Sequence, residues 1–146
     1  MHNDYSRRDP NIHNVVIRNV KAHSAGGLCG IIRLLPIRAK IWNVVIDSVI
    51  DTYPDEFQGH QSAFPIGVQN CYGGSSAKGD IRNVVISNVV ANCPCVFSMW
   101  GCLEDCSISN VIMRRPGSRY MALGGVPSLD EALTRVQQSN IVPAPS

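Results

Sequence analysis

One nine-residue phrase recurs along this chain and limits what it can fold into more than any other feature. It appears as Ile12-His-Asn-Val-Val-Ile-Arg-Asn-Val20, as Ile41-Trp-Asn-Val-Val-Ile-Asp-Ser-Val49 and as Ile81-Arg-Asn-Val-Val-Ile-Ser-Asn-Val89. A degenerate copy, Leu103-Glu-Asp-Cys-Ser-Ile-Ser-Asn-Val111, keeps the apolar positions and replaces the first Asn by Asp105 and the first Val by Cys106. The four starts are 29, 40 and 22 residues apart. Such density of β-branched residues, broken by turn formers and lacking a 3.6-residue stripe, excludes helix.

Alternation assigns faces. Val15, Val44, Val84 and Cys106 stand two residues before Ile17, Ile46, Ile86 and Ile108, so both sets share one side of a strand, the interior. The column Asn19, Ser48, Asn88 and Asn110 follows and predicts a bend, where short polar side chains hydrogen-bond neighbouring backbone. A second apolar run lies between copies: residues 30–35, 64–68, 95–100 and 120–123, predicting another wall. The expectation is an all-β chain, a right-handed single-stranded parallel β-helix of about four coils. Residues 1–11 are expected as a polar N-terminal segment, 12–124 as the coils, and 125–146 as a capping helix and tail. In that last part Ser128 and Glu131 form a capping box, and Leu129, Ala132, Leu133 and Val136 a helical face to plug the end. The other end has no such cover, which predicts pairing with another chain, or a longer solenoid of which this is the C-terminal part.

Composition narrows the partners. Apolar residues make up 45% and charged residues 16%, as in a chain with a buried core rather than a disordered one. A net charge of +2 without like-charge runs points away from nucleic acid and anionic membranes. No segment has the length of a membrane span or the pattern of a secretory signal. The six cysteines include Cys93-Pro-Cys95 and Cys102-x-x-x-Cys106, whose spacing fits no common zinc pattern, and Cys106 sits in the inward column. Buried thiols are expected, with a disulfide from Cys93 or Cys95 to Cys102 as the alternative, and neither metal nor cofactor. Gly73-Gly-Ser-Ser-Ala-Lys-Gly79 has a P-loop flavour, but Lys78 precedes Gly and a strand follows, so phosphate binding is rejected.

The phrase I-x-N-V-V-I-x-N-V, with G-I-x-x-L-type strands between copies, resembles the pectin-lyase-like superfamily and, within it, the polygalacturonase-like glycoside hydrolases. The resemblance covers roughly residues 12–123. It implies an inverting hydrolase of uronic-acid polymers or a related sugar-active enzyme, its main catalytic carboxylates on coils upstream; a secretory signal ahead of such coils would favour that reading. The N-T-D, D-D, G-H-G and R-I-K motifs of those hydrolases are not matched as a set: Gly59-His60 is followed by Gln61, and Arg33 precedes it. No catalytic residue is carried over.

Candidate chemistry comes instead from the longest coil, because insertions on one coil are where solenoids build sites. Asp55, Glu56 and His60 are the acid and base candidates, since glycoside hydrolysis needs paired carboxylates. Tyr53, Tyr72, Lys78 and Trp42 are the candidate sugar contacts. His13, Trp42, Arg82 and Glu104 occupy equivalent outward positions and could line a sugar-binding face. An ordinary solvated loop and an unpatterned surface are the alternatives. The expected partner is a polysaccharide or oligosaccharide, bound by an enzyme segment or by a non-catalytic binding or structural module.

Overall fold

A computed structural model describes residues 11–24, 30–36, 39–56, 63–68, 77–144 and 146. The chain is mostly strand, and it shuttles between two parallel sheets. The first contains β1 (Ile12–Ala22), β3 (Ile41–Asp51), β5 (Ile81–Ala91), β7 (Leu103–Glu104), β8 (Ser107–Met113), β10 (Leu133–Thr134) and β11 (Gln137–Val142). The second contains β2 (Ile32–Leu34), β4 (Ile66–Val68), β6 (Cys95–Met99) and β9 (Arg119–Leu123), in that order. The repeat phrases form the first sheet and the runs between them the second.

Register follows the phrase. Val15 pairs with Val44 and Val44 with Val84, and Ile17, Ile46, Ile86 and Ile108 pair in turn. Ile41, Val44, Ile46 and Val49 are buried, as are Ile81, Val84, Ile86 and Val89, and they pack against Ile66, Val68, Phe97 and Met99 of the second sheet. Cys106 joins that core. Its Sγ accepts from the Val84 N–H at 3.4 Å, and its own S–H donates to the Glu104 carbonyl at 3.1 Å. A thiol satisfies there a backbone donor that a valine could not.

Each phrase bends twice. Asn14, Asn43, Asn83, Asp105 and Arg135 form one column with φ between +50° and +56°, and Asn19, Ser48, Asn88, Asn110 and Asn140 a second, between +52° and +61°. Left-handed backbone costs most side chains about 1–2 kcal/mol, and Asn or Asp least, because a short polar side chain bonds locally. The inward positions are therefore the first, fourth, sixth and ninth of the phrase, the two bends each inserting a residue into the alternation. Only the second bend is evident from the sequence pattern as read above.

The C-terminal expectation needs correction. Ser128 does cap a helix, its Oγ accepting from the Glu131 N–H at 3.3 Å, but α1 spans only Leu129–Ala132. Leu133 and Val136 do not continue a helical face. Leu133 pairs with Leu103 and Ile141 with Val111, so residues 133–142 are a fifth copy of the phrase. A helix this short has no stability of its own, whereas the strands gain a complete ladder of backbone bonds. Gln138 lies at the inward isoleucine position and is exposed, so the core ends on a polar residue.

Candidate functional site

The outward side of the first sheet carries the most organised surface. His13 and Trp42 stack with centroids 4.5 Å apart and planes 12° from parallel. Register places them in line with Arg82 and Glu104, because the second phrase position always points out. Beside this row runs an amide ladder: Asn43 Nδ2 donates to Asn14 Oδ1 at 3.2 Å and Asn83 Nδ2 to Asn43 Oδ1 at 3.5 Å. Asn43, in the middle, spends one donor and one acceptor along the ladder, and each amide keeps hydrogen-bonding capacity for solvent or ligand. At the C-terminal end Arg135 replaces the amide, donating to both carboxylate oxygens of Asp105 and to Glu104. A groove of about 490 Å³ opens there, lined by Asn83, Val85, Asp105, Ser107, Arg135 and Gln137 among others. Asp105 is held below the usual carboxylate range chiefly by the Arg135 hydrogen bonds.

The second bend has its own ladder. Asn140 donates to Asn110 at 2.7 Å and Asn110 to Asn88 at 3.2 Å. Ser48 has no amide to receive Asn88, and Asp47 Oδ1 accepts from it instead at 2.7 Å. That bond, then one from Ser87, is what lowers the Asp47 pKa.

Two acids at the start of the longest insertion, Asp51 and Asp55, bond to neighbouring backbone and amide groups. Asp51 is 5% exposed and accepts from the Tyr53 N–H at 3.0 Å and the Asn92 N–H at 2.8 Å. Asn92 Nδ2 donates to the Tyr53 carbonyl and to Asp55 Oδ1, both at 2.6 Å. Arg115 donates to the carbonyls of Asn92, Pro54 and Asp55 and lies 5.1 Å over the Tyr53 ring. Tyr53, expected as a sugar contact, is only 2% exposed; it is a core residue covered by Arg115. Asp55 and Glu56 occupy an exposed turn, with Asp55 drawn to an amide. A cavity of about 260 Å³ beside them is lined by Asp55, Asn92, Arg114, Arg115 and Pro116. Lys78 is exposed in the turn closed by Asp80, whose Oδ2 accepts from the Ala77 N–H at 2.8 Å. Among the described candidate sugar contacts, Trp42 is the one shown stacked on another aromatic ring, that of His13. His60 and Tyr72, with Cys29 and Cys71, lie outside the described residues.

Sequence reasoning passed over Arg115 and Trp100. A pair of arginines directly before Pro116, at the end of a strand, was the available signal for a loop clamp. Trp100 is 41% exposed and borders a cavity of about 290 Å³ with Phe64, Cys95, Ser98, Arg119 and Leu123. Its indole lies so close to Gly124 that a Cβ there would meet it at 2.3 Å.

Cys93 and Cys95 are buried, and each S–H donates to a backbone carbonyl, at 2.9 and 3.0 Å. Burial raises both thiols, and pushes Cys106 up to about 11. These are poor nucleophiles at neutral pH. Among the described residues no helix is long and apolar enough to cross a membrane. No family model, no curated protein and no solved structure matches the chain.

Proposed function

We propose that the chain is a stack of coils from a right-handed parallel β-helix whose outward first-sheet face holds a polysaccharide. The handedness rests on the strong right-handed preference of parallel crossovers. The single observation behind the binding role is the stacked His13–Trp42 pair beside the Asn14–Asn43–Asn83 ladder. An aromatic surface packs on the apolar face of a sugar ring while amides answer its hydroxyls. Amides repeated at the strand spacing of about 4.8 Å suit an extended, repeating ligand better than a compact one. Arg82 in the same row, whose neighbour Glu104 is already paired with Arg135, favours an acidic polymer. Within a polygalacturonase-like hydrolase, the class implied by the resemblance, this segment supplies binding subsites beside coils that carry the cleaving acids. The Asp55 and Asn92 contact supports binding over cleavage, because it engages one of the candidate acids, Asp55, in holding the loop.

Tryptophan fluorescence titration with oligogalacturonides of increasing length tests the proposal. Quenching that strengthens with length, and is weakened at least about 10-fold by Trp42→Ala but not by Trp100→Ala, is expected, a loss of roughly 1.4 kcal/mol. No binding at millimolar ligand, or dependence on Trp100 instead, overturns it. Turnover of polygalacturonate abolished by Asp55→Ala or Glu56→Ala would replace it with a complete hydrolase.

A further inference from the structure

We infer that the outer face of the second sheet holds a pocket for a small aryl carboxylate, seated between Trp100 and Arg119. Ile66, Val68, Phe97 and Met99 belong to the core, so Gly67, Ser98 and Ala122, which stand in register on β4, β6 and β9, face away from it. All three are small, and side by side they make a trough. Two rings bracket it. A Cβ on Gly67 would meet the Phe64 ring at 2.7 Å, and one on Gly124 the Trp100 indole at 2.3 Å, so each ring is seated on a residue without a side chain. The cavity that Phe64 and Trp100 border has a volume of about 290 Å³. It lies over the paired strands β6 and β9, on the face of the sheet, and its lining residues are all among the described ones.

The side chains that line it are apolar apart from two with open polar groups. Arg119 is exposed at the start of β9 and forms no ion pair among the described residues. Ser98 is 8% exposed, and its hydroxyl has no hydrogen bond among the described residues. Cys95 adds no third open group, because its S–H donates to the Phe97 carbonyl at 3.0 Å. A guanidinium meets a carboxylate through two parallel N–H bonds, and the Ser98 hydroxyl can donate one more. The half-open indole offers an apolar plane on which a flat ring stacks off-centre.

Position along the strands sets the ligand's orientation. Arg119 begins β9, whereas Trp100 follows the end of β6 and rests over Gly124, past the end of β9, so charge and ring are read at opposite ends of the trough. The volume is at the lower end of small-molecule sites and suits one ring. A sugar fits the chemistry poorly. A pyranose carries hydroxyls around its whole edge, and one serine would leave most of them buried without partners. The pocket shares no residue with the face proposed to hold polysaccharide, so it goes beyond that reading and is tested apart from it.

Nuclear magnetic resonance titration of the whole chain with benzoate tests the inference, with benzamide as the uncharged ring and galacturonate as the charged sugar. One benzoate per chain with a Kd below about 1 mM is expected, and benzamide and galacturonate should each bind at least about 5-fold more weakly. Arg119→Gln should weaken benzoate by at least about 5-fold and leave benzamide nearly unchanged, which a general loss of fold would not do. Trp100→Ala should weaken both ring ligands, and Trp42→Ala, on the other sheet, neither. No saturation at about 10 mM benzoate, benzamide or galacturonate inside the 5-fold margin, indifference to Arg119→Gln or Trp100→Ala, or dependence on Trp42 each overturns the inference. Loss of oligogalacturonide binding through Trp42→Ala leaves it untouched, because that result concerns the first sheet.

Discussion

Arg135 donates from Nε to Asp105 Oδ1 at 2.6 Å and from Nη2 to Asp105 Oδ2 at 3.0 Å, across consecutive copies of the repeat. Both residues hold left-handed backbone at the first bend, where the N-terminal copies place asparagines. The amide ladder thus ends on a bidentate ion pair, and the C-terminal strand closes the sheet with a charge. Arg135→Ala should raise the exposure of β10 and β11, read as faster amide exchange from Leu133 to Val142 with little change at β3. Uniform change through both sheets would show that the fifth copy is not a separately fraying edge.

Acid should act through Asp105 and Asp47. Both carboxyls are lowered from 3.8 in the fold, by the Arg135 and Asn88 hydrogen bonds respectively. A depressed carboxylate stabilises the fold above its unfolded pKa, and that contribution is lost as pH falls through the lower folded value. Thermal unfolding between pH 5 and 2 should show the midpoint falling below about pH 3.8. Asp47→Asn, which keeps an acceptor for Asn88 but removes the charge, should flatten part of that fall. An unchanged slope would remove Asp47 from the account.

The ladder residues should be ranked by backbone as much as by side chain. Asn43→Ala loses the amide bonds and forces alanine into left-handed backbone, a loss of about 2 kcal/mol in urea unfolding. Asn43→Gly loses the bonds but not the conformation and should cost about half as much. Equal losses would mean that the positive φ carries no strain.

Thiol accessibility should follow burial. Native protein at pH 8 should react slowly at Cys93, Cys95 and Cys106, and denaturant should release these thiols without releasing zinc. Burial lifts Cys106 to about 11, so its share of stability is full below the unfolded value of 9.0 and is lost as pH rises from there towards 11. Stoichiometric zinc, or Cys106 labelling as fast as a free peptide thiol, would contradict this.

Gly124→Ala should displace Trp100. The Cβ would strike the indole at 2.3 Å, and the side chain that must give is 41% exposed, so it can swing outward at modest cost. Emission should shift to longer wavelength while the unfolding midpoint moves little. An unshifted spectrum would place the strain in the backbone instead.

The periodic part of this protein was legible because its causes are local. Alternation in Ile-x-Asn-Val-Val-Ile puts valine and isoleucine on one side whatever lies beyond, and the three clear copies and the degenerate fourth carried register with them. The fifth, Leu133-Thr-Arg-Val-Gln-Gln-Ser-Asn-Ile141, keeps too little of the phrase, with arginine at the bend and glutamine inward. A capping box just before it favoured helix. The loop chemistry was the least legible part. Tyr53 and Asp55 lie on a polar insertion, and that Arg115, 60 residues from Asp55, clamps them is a matter of distant chain returning to the same place.

By itself the sequence determined the strands of the first four copies, the inward valine and isoleucine two residues apart, the second wall and the burial of Cys106, each a consequence of side-chain type at a period of two. Tertiary structure decided which polar residues became structural. Asp51 and Asn92 are ordinary loop residues until stacking brings the Asn92 N–H within 2.8 Å of the carboxylate, and Asp47 becomes a ladder acceptor only because the neighbouring strand aims Asn88 at it. Hydrogen bonds have direction and reach of about 3 Å. Hydrophobic burial is non-directional, so it is written into composition and period, while the polar network exists only once the strands are in register.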